Sequence, residues 1–451
     1  MKRLIYIILG IVILAGVGFL VFIFGFKGNV GSLTNLPAAV TGSLPFVGGG
    51  GTQTGTTGGA GASASSSGGG ALMPGAANQG SVNTLSVVAS SPVLDYFINA
   101  SGTITAISPN GTILAVAAGT AGAAGNQTSS LSSIEIKDII SARFSYDGKM
   151  ILANFGARTN PQSSIFTVAN KTWTPLPAGM IAPSWSLSNS RIAFMAGASS
   201  TTLYTLNAAL PGRAPTALLT LRAQDLVPQW LSGTQIVLSG RPTAYAGGPM
   251  LVYDLVKGTL SPIALDSPGL MSIWVGSTSS TIPLGLIFSR SASGAYALAL
   301  DDTAGATMQA LNFLTLPSKC AFTIARETPV NLSASSTATS STAGTTAATD
   351  KKTAQKTPPL MPTYPALYCG IPRDTAAFSS AALPDAYDQM ALYTSDDIYL
   401  INAASGAATA LMTDTNQNLD VSDPKVFNGS LYFVNRYNQE LYQLTPASSG
   451  Q

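Results

Sequence analysis

The residue type that limits this chain's chemistry most is one it lacks. No histidine occurs among its 451 residues, so a Ser-His-Asp triad, a His-ligated zinc and an imidazole general base are all excluded. What remains is oxygen chemistry. Asp414, Asn416, Asn418 and Asp420 alternate along Asp414-Thr415-Asn416-Gln417-Asn418-Leu419-Asp420. This is the D-x-N-x-N-x-D spacing with which a loop offers hard oxygen ligands to calcium. The run departs from a full calcium loop at Leu419, where the sharp turn needs glycine, and at Lys425, where a bidentate glutamate would stand. Calcium at these four residues is one expectation, and a polar loop between repeats is the other. Asp301-Asp302 and Asp396-Asp397 are adjacent carboxylates flanked by Gly, Ser or Thr, and solvated hairpin turns are expected of both. No G-x-S-x-G nucleophile elbow is present. Two-carboxylate glycoside hydrolysis is the enzymatic alternative. The expectation is a protein that is not an enzyme and holds no cofactor, calcium excepted.

Cys320 and Cys369 are the only cysteines. They bracket a low-complexity insert, residues 331–365, whose middle reads SASSTATSSTAGTTAATDKKTAQKTPP. A bridge closing a loop of about 50 residues would stabilise by roughly 4 kcal/mol in the chain-entropy model. It would keep the flanking strands in register and place the domain in an oxidising compartment. Two separate buried thiols are the alternative.

The elements that must position these groups begin with a membrane anchor. Leu4 to Phe26 carries no charge, and about 20 apolar residues at 1.5 Å each cross a bilayer core roughly 30 Å thick. Phe22, Ile23, Phe24 and Phe26 stand where a cleaved signal peptide needs small residues, so an uncleaved anchor is expected. Lys2 and Arg3 outnumber Lys27, which puts the N-terminus inside and the rest of the chain outside. Residues 28–83 are rich in Gly, Ser, Thr and Ala, too apolar-poor to fold, and read as a flexible tether. With 22 basic and 20 acidic residues, only 9% charged in all, the chain has no basic face for nucleic acid.

From residue 84 to 446, β-type runs alternate with Gly, Asn, Asp, Ser and Pro, leaving residues 447–451 as a tail. Phe144, Trp185, Trp230 and Trp274 recur at spacings of 41, 45 and 44 residues. Each is followed by a turn and then a hydrophobic strand, and four strands per unit of about 45 residues is the pattern of one propeller blade. The anchor aromatics would pack between blades, and Asp147-Gly148, like Asn110-Gly111, would make the tight turn joining the first two strands of its unit. Motif starts near residues 108, 145, 186, 231, 275, 322 and 425 make seven units. The expected fold is therefore all-β, a propeller of seven blades, with six or eight as the neighbouring counts. The last unit ends one strand short, and the segment Ser81–Ile107 is expected to supply its outer strand.

Phe144-Ser145-Tyr146-Asp147-Gly148-Lys149-Met150-Ile151-Leu152-Ala153 resembles the W-S-P-D-G-x-x-I-A-F blade signature of TolB-like, WD-repeat-like propellers. The resemblance extends over residues 95–325 and 385–445, with Leu-Ser-Asn and Leu-Ser-Gly replacing Pro-Asp-Gly in later units. It implies fold more than function, since propellers host binding, scaffolding and catalysis alike. The expected function is a membrane-anchored, extracytoplasmic, non-catalytic module that binds a protein or glycan on one propeller face. A self-associating cell-envelope or adhesion protein is the second reading. A carbohydrate-active or calcium-dependent enzyme is the third.

Overall fold

Met150–Phe155 reads Met-Ile-Leu-Ala-Asn-Phe, and its first four residues are all buried. A strand with both faces covered shows such a continuous apolar run rather than alternation. Arg191–Ala196, Leu284–Arg290 and Ser430–Asn435 show the same burial. Each lies inside a sheet that is itself covered on both sides by neighbouring sheets.

The computed structural model describes residues 83–116, 128–132, 135–197, 200–210, 212–274, 284–291, 293–326, 363–413 and 416–446. Within them the chain forms seven four-stranded antiparallel sheets, the blades of a β-propeller. Blades one to five span residues 95–130, 139–175, 181–221, 226–268 and 271–310. Blade six joins Cys320–Arg326 to three strands between 363 and 412, and blade seven takes three strands between 421 and 445. The expected anchor, Leu4–Phe26, lies outside the described residues. So do the tether up to residue 82, residues 331–362 of the insert, and the tail. Among the described residues no helix is long and apolar enough to cross a membrane.

The ring closes without a covalent link. Thr84–Ala89 is the outermost strand of blade seven, with Thr84 opposite Thr445 and Val87 opposite Tyr442. Only these six residues of the expected Ser81–Ile107 segment play that part. Asp95–Ile98 and Ile104–Ile107 are instead the first two strands of blade one. The Asn110-Gly111 turn therefore joins the second and third strands of its blade, not the first and second. Asn-Gly makes the same tight turn in any hairpin, so the motif alone does not fix which strands it links. The insert also ends earlier than expected, because Thr363–Pro365 already belong to the strand Thr363–Pro372.

Apolar clusters fill the spaces between adjacent blades. Trp185 packs with Met150 and Leu152 of blade two and Ile192 and Phe194 of its own blade. Its indole N–H donates to the Arg143 carbonyl at 2.9 Å. Trp230 meets Ala193, Met195 and Leu203 of blade three. Trp274 meets Leu231 and Val237 of blade four, and Phe144 stacks on Phe97 of blade one at 6.1 Å. Gly148 sits at φ 69° beneath that stack, where a Cβ would lie 2.1 Å from the Phe97 ring. Glycine is thus required for both conformation and space.

Cys320 and Cys369 are disulfide-bonded. They face each other across the first two strands of blade six, at the end of that pair far from the insert, while Arg326 stands opposite Thr363 where the insert departs.

Candidate functional site

The first strands of neighbouring blades touch one another, as Asp95–Ile98 does Ile139–Phe144 and Ile181–Trp185 does Leu226–Trp230. They therefore line the ring's axis. Antiparallel order places the linkers between blades, and the connections from second to third strands, on one common face. In blade six that connection runs over residues 373–395 and carries two short helices, Thr375–Ser380 and Asp385–Asp388. Asp374 caps the first, its carboxylate accepting from Ala377 N at 2.9 Å.

Three other blades hold this segment down. The Tyr296 hydroxyl donates to Ala381 O at 2.8 Å and accepts from Leu383 N at 2.9 Å. Ala244 N donates to Asp385 Oδ2 at 2.5 Å. Arg436 Nη2 donates to Tyr387 O at 2.7 Å. Blades four, five and seven are thereby tied to an insertion from blade six.

Beneath the insertion lies a buried ion cluster. Lys319 is fully buried, and its Nζ sits 2.5 Å from Asp396 Oδ2, 2.5 Å from Asp420 Oδ1 and 2.8 Å from Thr394 Oγ1. The Tyr387 hydroxyl donates to Asp420 Oδ1 at 3.0 Å. Arg436 Nη1 donates to Asp420 Oδ2 at 3.0 Å, with its guanidinium 3.6 Å above the Tyr387 ring. Burial alone would lower the Lys319 pKa, but the surrounding Asp396, Tyr387 and Asp420 reverse this and hold it well above the ordinary lysine range.

These contacts reassign the acidic motifs. Asp396 is 1% exposed, not part of a solvated turn, and Asp397 pairs with Arg373 Nε at 2.5 Å. Asp302 does cap a turn, accepting from Ala304 N and Ala306 N. Of the four proposed calcium ligands, Asp414 lies outside the described residues and Asn416 is exposed. Asn418 Oδ1 accepts from Ser395 at 3.1 Å, while Asp420 faces Lys319 and Arg436. The described members thus have separate partners, and cations already occupy the carboxylate, which does not fit a calcium loop. Among the described residues no group of three or more acidic, Cys or His side chains is placed to hold a metal.

A second ionic group lies where the ring closes. Asp95 accepts from Phe144 N at 3.0 Å, and its Oδ1 lies 2.5 Å from Lys425 Nζ. Lys425 also lies 3.1 Å from Asp423, which is 3.7 Å from Arg143. Burial pushes Asp95 up to about 6, partly offset by Lys425 and reinforced by Asp423.

Between the insertion and blades two, three and four lies a cavity of about 520 Å³. Ser141, Asn154 and Arg158 of blade two and Arg241 of blade four line it opposite Asp385 and Asp388 of the insertion. A larger groove of about 900 Å³ lies between blades two and three on the opposite face, lined by Tyr146, Lys149, Asn170 and Arg213. The axial cavity is the stronger candidate, because it gathers charged side chains from separate blades. Sequence reasoning missed Lys319, Tyr387, Arg436, Arg158 and Arg241. The available signal was scarcity: in a chain only 9% charged, each charge next to a strand end deserved a partner.

No family model and no curated protein matches the chain. Among solved structures it is similar to TolB from Acinetobacter baumannii, with 11% identity over 82% of this chain and 65% of that one, at a TM-score of 0.38. The chain thus spans just under two thirds of TolB. It is also similar to the propeller domain of the Trilobed protease from Pyrococcus furiosus, with 11% identity over 69% of this chain and 83% of that one, TM-score 0.36. A third likeness is to oligogalacturonate lyase from Vibrio parahaemolyticus, with 7% identity over 81% of this chain and 92% of that one, TM-score 0.46. These likenesses concern the fold alone.

Proposed function

We propose that this chain is a single-pass membrane protein whose propeller stands on the outer side and acts as a non-catalytic binding module. Its working face is the one crossed by residues 373–395. The observation that carries this reading is the axial cavity, where the exposed side chains of Arg158, Arg241 and Asp388 make no hydrogen bond or ion pair with any described residue. Unpaired charges gathered at one concave site are groups left for a partner.

The uncharged run Leu4–Phe26 supports the anchor. The Cys320–Cys369 bridge supports an oxidising compartment. The non-catalytic role is supported by the state of the buried carboxylates: Asp95, Asp396 and Asp420 are each tied to lysine or arginine. The reading is tested by placing a photo-crosslinking residue at Gln389, inside the cavity, and at Lys257, on an exposed hairpin, in the native membrane. A discrete adduct from position 389 alone is expected. No adduct at 389, or one of twice the chain's mass, would overturn it, the latter in favour of self-assembly.

A further inference from the structure

We infer that the axial cavity binds a peptide segment carrying a carboxylate beside a basic group, the carboxylate on Arg158 and Arg241 and the basic group on Asp388. This rests on the binding reading above and names its ligand class.

Most arginines near the ring's axis are already paired. Arg143 faces Asp423, Arg373 holds Asp397, and Arg436 holds Asp420. Arg290 is spent on Gly294 O and Ala244 O. The Arg158 and Arg241 side chains have no such partner among the described residues; neither do those of Arg191, Arg213 and Arg222, but only Arg158 and Arg241 share this cavity, reaching it from different blades. A guanidinium presents a planar fork of donors that matches a carboxylate with two parallel hydrogen bonds. Two forks at one site are a receptor for such groups.

The opposite wall has the other sign. Asp388 lies one helical turn from Asp385, and burial together with the Asp385 charge raises its pKa, with Arg436 offsetting only part of this. A nearby cation would relieve both effects. The same two carboxylates repel a dense polyanion, so a phosphate-rich ligand is disfavoured while a dipolar one fits both walls.

Besides Ser141, Asn154 and Gln389, the remaining lining is apolar and includes Met180, Pro183, Val227 and Pro242. Tyr245 stands 78% exposed, one residue from Ala244, whose N–H is held by Asp385. Arginine beside partly buried apolar side chains, with a tyrosine nearby, is the residue mix enriched at protein-binding hot spots. A peptide supplies carboxylate, amine and apolar side chains on one chain.

The test is fluorescence anisotropy on the full chain in detergent with a labelled Ala-Pro-Glu-Lys-Ala-Pro peptide. Its Glu→Gln counterpart and inorganic tripolyphosphate serve as controls. The expected result is that Arg158→Gln and Arg241→Gln each weaken binding about tenfold with an unchanged melting temperature. The Gln peptide should lose a similar factor, and tripolyphosphate should compete poorly. Equal binding of the two peptides, no effect of either arginine, or stronger competition by tripolyphosphate would overturn the assignment. A crosslink from position 389 without any peptide binding would reject the ligand class and leave the binding module standing. Loss of both would reject both.

Discussion

Lys425 Nζ lies 2.5 Å from Asp95 Oδ1, joining the last blade to the first across the seam where the ring closes. The two residues are 330 positions apart. The outer edge of the same seam is held by hydrogen bonding between Thr84–Ala89 and Leu441–Thr445. Its interior is filled by Val88, Val93, Tyr96, Tyr432 and Val434. Closure is therefore noncovalent at three depths, and each can be weakened separately.

The first prediction concerns pH. Burial raises Asp95 to about 6 in the folded chain, against 3.8 for an ordinary aspartate. The folded state thus takes up this proton at higher pH than the unfolded one, so stability rises as pH falls from 7 towards 4, by up to about 3 kcal/mol from this group. For Asp423, Lys425 and Arg143 outweigh burial and hold the carboxylate below its usual range. Its contribution is lost only below about pH 4. Thermal unfolding between pH 7.5 and 4.5 should show a melting temperature that rises less steeply in Asp95→Asn than in the parent, the remainder coming from Asp301, Asp388 and Asp396, which burial also raises. Equal slopes in both proteins would count against the assignment.

Removing residues 84–89 should open the seam. The strand Leu441–Thr445 would become an unprotected sheet edge, a template for pairing with other chains. The truncated protein should melt at a lower temperature and form larger species in light scattering after gel filtration. A monomer of unchanged stability would show that this strand does not close the ring.

Lys319→Met leaves Asp396 and Asp420 buried without their shared cation. Breaking a buried pair on one side costs about 3–5 kcal/mol, moderated here by the contact of Arg436 with Asp420. The urea midpoint should fall accordingly, and Lys319→Met combined with Asp396→Asn should recover part of the loss. A midpoint within error of the parent's would mean that the cluster does not lock the blades.

Reduction of Cys320–Cys369, whose separation is 49 residues, should destabilise by about 4 kcal/mol. In a protein of this size that is a drop of several degrees in melting temperature. Cys320→Ser should match the reduced parent and be insensitive to reductant. A melting temperature that ignores reductant would show that the strands hold their register without the bridge.

The blade period is legible because its signals are local. Trp185, Trp230 and Trp274 each end a first strand, and Asp147-Gly148 is a turn readable from two residues. Blade one is misphased in the sequence for the same reason: Asn110-Gly111 is an equally good turn at the wrong step of its blade. The site is different in kind. Lys319, Asp420 and Arg436 come from three separate connections and Asp396 from the start of a strand, and they meet only when the ring is closed. Nothing within five residues of Asp396 distinguishes a buried ion partner from a solvated turn. Arg158 and Arg241 sit in ordinary hairpin connections, and only their shared cavity sets them apart.

Limited proteolysis of intact cells or right-side-out spheroplasts tests the proposed anchored propeller on the outer side of the membrane. Cleavage within residues 28–83 and release of a folded fragment containing residues 84–446 are expected, with its Cys320–Cys369 bridge unreactive to thiol reagents until reduced. Protection of the whole chain until the cells are lysed, together with two free thiols in the recovered protein, would contradict it.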